Sequence, residues 1–123
     1  MPKQRPYTIL IDSAEQHPFT FSDIKGDARD QYKDLIIPTA RKHLGRCRAD
    51  YSIEGFEGRC NIERKSVKDC QGTILGFGND GDVSTRRERF EEELEFLAGI
   101  ECGAVVVEGT EHDVCSTAPE FGK

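Results

Sequence analysis

Short apolar runs alternate with polar, turn-rich segments along this chain, a pattern typical of several short strands. Residues 7–12 form a nearly continuous, β-branched apolar run that predicts a buried strand. Residues 35–37 predict a second strand, which Pro38 closes because proline lacks the N–H that a strand ladder needs. Residues 103–109 predict another buried strand, whereas residues 19–33 give mixed signals and no firm prediction.

The middle of the chain predicts a β-hairpin. Residues 50–56 and 59–65 are strand-like and flank Glu57 and Gly58. Two residues with glycine second are typical of a tight hairpin turn. With this turn, Phe56 would face Arg59.

Two helices are predicted after the hairpin. Residues 66–69 resemble a capping box and predict a helix that runs towards Phe77. Residues 85–88 resemble a second capping box and open a stronger helix. The order strand, strand, hairpin, helix, helix, strand predicts a three-layer α/β or α+β domain with a mixed sheet. Residues 110–123 are polar and show no clear period. The apolar stripe of the second helix is Phe90, Leu94, Leu97 and Ala98.

The length and composition predict one globular domain. The chain has 123 residues, of which 36% are hydrophobic. It has no apolar run long enough for a membrane span and no apolar stretch typical of a signal peptide near its start. We therefore expect an intracellular protein, in the cytoplasm or the nucleus and not secreted. The five cysteines are odd in number and lack CxxC pairs, so we expect reduced, buried thiols. These are Cys47, Cys60, Cys70, Cys102 and Cys115.

The formal net charge of −6 argues against a partner held mainly by a bulk positive field. Two local arginine clusters nevertheless suggest phosphate contacts. Arg46 and Arg48 lie in the basic segment 41–48, which could equally be a solvated loop. The other cluster lies in the first turn of the second helix, where the helix dipole disfavours cations. Its alternative role is pairing with residues 91–93. This second cluster comprises Arg86, Arg87 and Arg89.

The hairpin places a group of polar side chains on one face. In the predicted register Ser52 lies opposite Glu63 and Asp50 lies opposite Lys65, and alternation puts all four on the same face. Two carboxylates a few ångströms apart suit Mg²⁺, which keeps water and substrate oxygens as its other ligands. A nearby lysine can orient the attacking water. The pattern therefore suggests metal-dependent phosphodiester hydrolysis, or else a solvated hairpin face with a cross-strand ion pair.

Particular motifs add a resemblance to this spacing. Residues 62–69 read IERKSVKD and resemble the ERKxxxD signature of XPF-type structure-specific endonuclease domains, a branch of the PD-(D/E)xK nuclease superfamily. Residues 49–53 resemble the GDY-plus-apolar element of that family, and residues 12–15 resemble its DxRE element. Residues 89–94 and 105–109 are similar to its arginine-led helix and its last core strand, so the resemblance covers about residues 7–110.

The resemblance implies a fold and an activity. The expected fold is a restriction-endonuclease-like three-layer α/β/α domain with a mixed central sheet, forming a single nuclease domain over residues 1–123. The expected activity is that of a Mg²⁺- or Mn²⁺-dependent endodeoxyribonuclease that acts on branched or junction-containing DNA in repair or recombination. Family members usually add a helix-hairpin-helix module, which does not fit in this chain. We therefore expect a homodimer, a heterodimer with a related subunit, or a fragment of a longer protein.

The resemblance also implies residue roles. Asp50 and Glu63 would be metal ligands, with the backbone carbonyl of Arg64 completing the set, and Lys65 would orient the water. The side chain of Arg64 points to the opposite face in the predicted register, so we expect a packing or ion-pair role for it. The accessory acidic residues at the same site, as ligands or beside them, would be Asp12, Glu15 and Asp69.

The chain departs from the family pattern at two positions, and we expect these changes to affect contacts with the substrate and the efficiency of cleavage. Ala49 stands where the family has a glycine, and Ala14 stands where it has an arginine. Neither change removes a metal ligand. Two alternatives remain open: a non-catalytic DNA-binding or scaffold partner with the same fold, and a restriction-like, sequence-specific endonuclease.

Overall fold

The computed structural model describes residues 2–45, 49–75 and 83–116, and at residues 74–75, 83–86 and 116 it describes the backbone only. The chain divides into two compact units, Met1–Asn61 and Ile62–Lys123. Over the described residues it is a mixed α/β chain with five strands in its larger sheet and three α-helices. The strand order of that sheet is β4-β2-β5-β6-β7. The strands are β1 Lys3–Gln4, β2 Ile9–Asp12, β3 Leu35–Ile36, β4 Thr39–Lys42, β5 Tyr51–Ile53, β6 Cys60–Ser66 and β7 Cys102–Glu108; the helices are α1 Val67–Leu75, α2 Val83–Gly99 and α3 Glu111–Ser116.

The first unit is built around β2, which confirms the strand predicted at residues 7–12. β2 is parallel to β4 and antiparallel to β5, so the sheet is mixed. Leu10 of β2 forms a buried cluster with Leu44 and Ala49. A separate two-stranded parallel sheet joins β1 to β3, in which Lys3 pairs with Leu35.

The predicted strand at residues 35–37 is confirmed as β3. A further strand, β4, begins directly after Pro38. The Pro38 carbonyl accepts the N–H of Ile9 at 2.9 Å, and β4 follows at once. All four residues of β4 are exposed. Arg41 and Lys42 therefore lie in a strand and not in the solvated loop that was the alternative for residues 41–48. The strand forms by backbone pairing with β2, although its sequence has no apolar pattern.

The predicted two-residue hairpin turn is wrong. β5 ends at Ile53 and β6 begins at Cys60, so residues 54–59 connect them. Gly55 and Gly58 have φ angles of 90° and 84°, a left-handed conformation that glycine adopts without steric cost. The hydroxyl of Ser52 donates to the Cys60 carbonyl at 2.6 Å, which does not fit the predicted register.

In the second unit the helix predicted from residue 66 is confirmed as α1. Ser66 Oγ accepts the N–H of Asp69 at 3.1 Å, as a helix-capping side chain does. The helix predicted to open with the capping pattern of residues 85–88 instead begins at Val83. Helix α1 was predicted to run towards Phe77. The structure describes it as far as Leu75, and Phe77 lies outside the described residues.

The buried faces in this unit are smaller than predicted. On α2, Phe90 and Leu97 are buried, but Leu94 and Ala98 are exposed, so the predicted stripe holds only for residues seven apart. The strand predicted at residues 103–109 is confirmed as β7, but its predicted burial is wrong, because four of its seven residues are exposed. Residues 110–123 show no clear period, yet α3 forms within them, and Thr110 Oγ1 caps it by accepting the N–H of Asp113.

The cysteines correct a further prediction. Cys60, Cys70, Cys102 and Cys115 are free thiols, as expected, but of these four described cysteines only Cys70 is buried. Cys102 and Cys115 are exposed because they lie on β7 and α3, which have open faces. Cys47 lies outside the described residues. No α-helix in the described part of the chain has the length and apolar character needed to cross a bilayer.

Candidate functional site

An acidic loop, defined here as residues 12–15, follows β2 in the first unit. Asp12 Oδ1 accepts the backbone N–H of the buried Leu44 at 2.8 Å, and its Oδ2 accepts the N–H of Ala14 at 3.3 Å. Its own N–H donates to the Asp50 carbonyl at 2.8 Å. These bonds fix the carboxylate of Asp12 against the backbone, and each oxygen keeps a second lone pair.

Glu15, the second acidic residue of this loop, is held by a tyrosine. The buried Tyr51 donates its hydroxyl to Glu15 Oε2 at 3.2 Å and accepts the N–H of Phe19 at 3.0 Å. The Tyr51 ring stacks on Phe19 with a centroid separation of 5.3 Å, and Phe21 packs edge-on at 5.9 Å. Tyr51 therefore orients the Glu15 carboxylate and anchors the chain that follows it.

Arg41 on β4 fastens the acidic loop from the neighbouring strand. Its guanidinium donates to the Asp12 carbonyl at 3.2 Å and to the Glu15 carbonyl at 2.6 Å. The Glu15 N–H donates to the Asp12 carbonyl at 3.0 Å, which closes a tight turn. Asp12 and Glu15, proposed from sequence, are thus brought together, with a cation between their carbonyls.

Asp50 lies directly before β5 in the same unit and is half-buried. Its carbonyl is the acceptor of the Asp12 N–H, so the backbones of these two predicted acidic residues are hydrogen-bonded to each other. Three of the predicted site residues therefore belong to one neighbourhood of the first unit.

In the second unit, β6 carries Glu63 and Lys65. Lys65 Nζ lies 3.7 Å from Glu63 Oε1, and the two side chains are only 16% and 15% exposed. The Lys65 ammonium also lies 5.0 Å from the centre of the buried Phe90 ring, a cation–π contact. Because 3.7 Å is too long for a hydrogen bond, the N–H donors of Lys65 are not used up by Glu63.

Arg64, between these two residues, has the role predicted for it. Its guanidinium makes a bidentate ion pair with Glu108 on β7, with distances of 2.5 and 2.9 Å. This pairing holds the pKa of Glu108 below its usual value of 4.5. Alternation along β6 thus separates a structural ion pair from the pair formed by Glu63 and Lys65.

Asp69 lies in the first turn of α1 and is exposed. Its N–H donates to Ser66 Oγ, so Asp69 takes the third helical position of the capping pattern predicted at residues 66–69. A carboxylate in the first turn of a helix is also favoured by the helix dipole. A direct part for Asp69 in chemistry stays a prediction.

The predicted DNA-contacting arginines are described only in part. Arg87 and Arg89 are exposed on α2. Arg87 Nε lies 3.3 Å from Glu91 Oε1, which is the alternative pairing that the sequence suggested. Arg46 and Arg48 lie outside the described residues, as does the side chain of Arg86.

The donor chemistry suits Mg²⁺ or Mn²⁺, because carboxylate oxygens are hard ligands. Within residues 2–45, 49–75 and 83–116, no group of three or more His, Cys, Asp or Glu side chains is placed to hold a metal. Mg²⁺ commonly takes only one or two protein carboxylates and completes its shell with water and phosphate. A site with two carboxylates is compatible with this finding.

Sequence reasoning missed three residues that organise these groups. Tyr51 is one residue after Asp50 and could have been noted as the buried polar member of that motif. The sequence indicates Arg41 only as part of a basic segment and Phe90 only as part of an apolar stripe. Their roles depend on contacts with residues 26, 36 and 25 positions away, which no local pattern indicates.

Comparison with known proteins does not place the chain in a family. No family model, no curated protein and no solved structure matches this chain.

Proposed function

We propose that this chain is a divalent-metal-dependent endodeoxyribonuclease that hydrolyses phosphodiester bonds in branched or junction-containing DNA. The finer fold that goes with this proposal is a restriction-endonuclease-like α/β/α domain. The ERKxxxD-like motif at residues 63–69 supports both statements.

The observation that carries the proposal is the pair formed by Glu63 and Lys65. A carboxylate and an ammonium lie two residues apart on one face of β6, with 3.7 Å between Glu63 Oε1 and Lys65 Nζ and side chains that are only 15% and 16% exposed. Charged side chains are seldom shielded from solvent to this extent. A metal-binding carboxylate beside a lysine that contacts water or phosphate explains both.

In the proposed reaction each residue has one part. Glu63 supplies carboxylate oxygens for Mg²⁺ or Mn²⁺, and the family pattern adds Asp50 as a second ligand on sequence grounds. The bound metal would supply Lewis-acid chemistry, lowering the pKa of a water molecule and polarising the scissile phosphate. Lys65 orients the attacking water and offsets charge that develops on the phosphate.

The bond changes are those of simple hydrolysis. The water oxygen forms a bond to phosphorus, and one bridging phosphorus–oxygen bond breaks. One proton of the water ends on the leaving alcohol, so the products are an alcohol and a phosphate monoester. The family pattern adds Asp12 and Glu15 as accessory acidic residues on sequence grounds. Within the first unit, bonds from the Leu44 N–H and the Tyr51 hydroxyl orient these two carboxylates, and Arg41 binds the Glu15 carbonyl.

The test is cleavage of end-labelled forked, Holliday-junction, single-stranded and linear duplex DNA with EDTA, Mg²⁺ or Mn²⁺. Wild type should cut only with metal. Lys65→Ala should cut about 10²–10⁴-fold more slowly, the range typical of a lost acid–base group, and Asp50→Asn should also abolish most cutting. Lys68→Ala is the matched control, because Lys68 is an exposed lysine of the adjoining helix.

Circular dichroism of each variant separates lost chemistry from lost folding. Equal cutting by wild type and Lys65→Ala, or no cutting in either metal, would overturn the proposal. Fork binding without any cutting would point to the scaffold alternative. Cutting of a fixed sequence in linear duplex, with branched DNA no better, would point to the restriction-like alternative.

A further inference from the structure

A cationic hollow lies in the first unit, away from the acidic loop in sequence. Its volume is about 390 Å³, and it forms where β1 meets the loop that carries the 3₁₀ turn Ala28–Asp30. The lining combines three cations with one carboxylate. The residues around it are Pro2, Lys3, Arg29, Asp30, Gln31 and Lys33.

Asp30 assembles this hollow rather than making it acidic. Its carboxylate binds Lys3 at 2.6 Å and Arg5 at 3.2 Å, and its side chain is only 13% exposed. The hydrogen bond from Lys3 lowers the pKa of Asp30, so it stays ionised and paired. The two ion pairs join segments 25 or more residues apart and leave the hollow with excess positive charge.

The remaining cations are available to an anionic ligand. Arg29 is 92% exposed and pairs with Asp27, a solvent-exposed contact that an incoming phosphate can replace at little cost. Lys33 is exposed and makes no ion pair with any residue in the described part of the chain. Lys3, although paired, is 51% exposed.

An exposed aromatic residue stands between two residues of this lining. Tyr32 is 68% exposed, and both it and Gln31 have positive φ angles, of 54° and 57°. Side chains other than glycine and asparagine seldom adopt this conformation, and such strain concentrates at binding and catalytic sites.

The loop that holds Tyr32 is closed by backbone hydrogen bonds. The Tyr32 N–H donates to the Asp27 carbonyl at 3.0 Å, and the Lys33 N–H donates to the Asp30 carbonyl at 3.2 Å. Gly26 donates to the Lys33 carbonyl at 2.9 Å, which joins the two ends of the loop. The ring of Tyr32 is therefore presented on a fixed backbone, which lowers the entropy cost of binding.

We infer that this surface binds a single-stranded DNA segment, with Tyr32 stacking on a base and Lys33, Arg29 and Lys3 contacting the backbone phosphates. Cations that track phosphates beside an aromatic ring that stacks on bases are the common means of binding single strands. The choice of DNA rests on the proposed function, because a forked DNA substrate contains single-stranded arms. The binding itself requires neither a metal ion nor cleavage.

The test measures binding of a fluorescein-labelled oligothymidine by anisotropy, in EDTA and with the Lys65→Ala chain, so that cleavage cannot interfere. Tyr32→Ala should weaken binding about tenfold or more, whereas Tyr32→Phe should bind like the parent. Lys33→Ala should reduce the slope of log affinity against log salt by about 0.7, the value for one phosphate contact on a single strand.

Two exposed residues of the same unit provide matched controls, Tyr7→Ala and Lys25→Ala. Neither should change the affinity or the salt slope. Full binding by Tyr32→Ala, or an equal loss in Tyr7→Ala, would overturn the inference. Cleavage by wild type bears on the proposed nuclease activity and not on binding at Tyr32. The two proposals can therefore fail independently of each other.

The Tyr32→Gly variant adds a readout that a purely structural role of Tyr32 would not give. Tyr32→Gly removes the cost of the positive φ angle, so it should raise or preserve the melting temperature. It should weaken oligothymidine binding as much as Tyr32→Ala does. A variant that is as stable as the parent but binds poorly supports the inference, and one that binds fully contradicts it.

Discussion

The acidic loop after β2 and the strand β6 both present carboxylates, but they hold them with different partners. In the loop, Asp12 is bound by the backbone N–H groups of Leu44 and Ala14. On β6 the ammonium of Lys65 lies 3.7 Å from the carboxylate of Glu63. Neutral donors hold a carboxylate at any salt concentration, whereas cationic partners make its position depend on salt and pH.

The two units also differ in net charge. Residues 1–61 contain ten Lys and Arg against nine Asp and Glu, whereas residues 62–123 contain seven against fourteen. The second unit therefore carries all of the net negative charge. Ion pairs in this unit offset repulsion between carboxylates, which is weaker in the nearly neutral first unit. The cationic hollow lies in the nearly neutral unit, where a polyanion meets the least repulsion.

The largest stability effect should come from removing a neutral-donor contact. Asp12→Ala leaves the N–H of the fully buried Leu44 without its acceptor, which should lower the free energy of unfolding by about 2 kcal/mol. Urea denaturation measures this loss. Asp12→Asn keeps an acceptor oxygen and should lose less than half as much. Equal losses for both variants would mean that charge, not hydrogen bonding, matters in the loop.

A smaller effect is expected for Arg64→Met in the second unit. The folded pKa of Glu108 lies below its ordinary 4.5 because Arg64 binds it. Its contribution to stability is therefore complete above pH 4.5 and is lost as the pH falls through the lowered value. Since Glu108 is 36% exposed, the loss at neutral pH should be only about 0.5–1 kcal/mol.

Thermal melts of wild type and Arg64→Met at a series of pH values test this expectation. The two curves should converge in acid, because protonated Glu108 no longer attracts Arg64. Glu108→Gln is the control and should show the same convergence. A difference that is constant with pH would assign the effect of Arg64 to packing of its aliphatic stem.

The smallest effect belongs to the exposed pair of Arg87 and Glu91 on α2. Arg87→Ala should lower stability by about 0.3 kcal/mol at low salt, the usual value for such a helix pair. The loss should vanish in high salt, and Glu91→Gln should match it. A DNA-binding defect much larger than this stability effect would favour the phosphate contact predicted for Arg87.

The candidate site was predictable wherever one strand or one helix turn decides the outcome. The period of two places Glu63 and Lys65 together and sends Arg64 to Glu108. The capping pattern correctly starts α1 after Ser66. The same pattern at residues 110–113 starts α3, since Thr110 Oγ1 accepts the N–H of Asp113 and the Asp113 carboxylate accepts the N–H of Thr110.

The rest needed the tertiary structure because the partners are far apart in the chain. β4 has no apolar period and becomes a strand only by pairing with β2, and a six-residue connection replaced the predicted hairpin turn. The contact of Tyr51 with Glu15 and the ion pairs of Asp30 join residues 25 or more positions apart. The sequence by itself determined which residues alternate and where a helix starts, since these depend on neighbouring backbone. Only the tertiary structure decided which carboxylate meets which donor, because such bonds form only after distant segments are packed together.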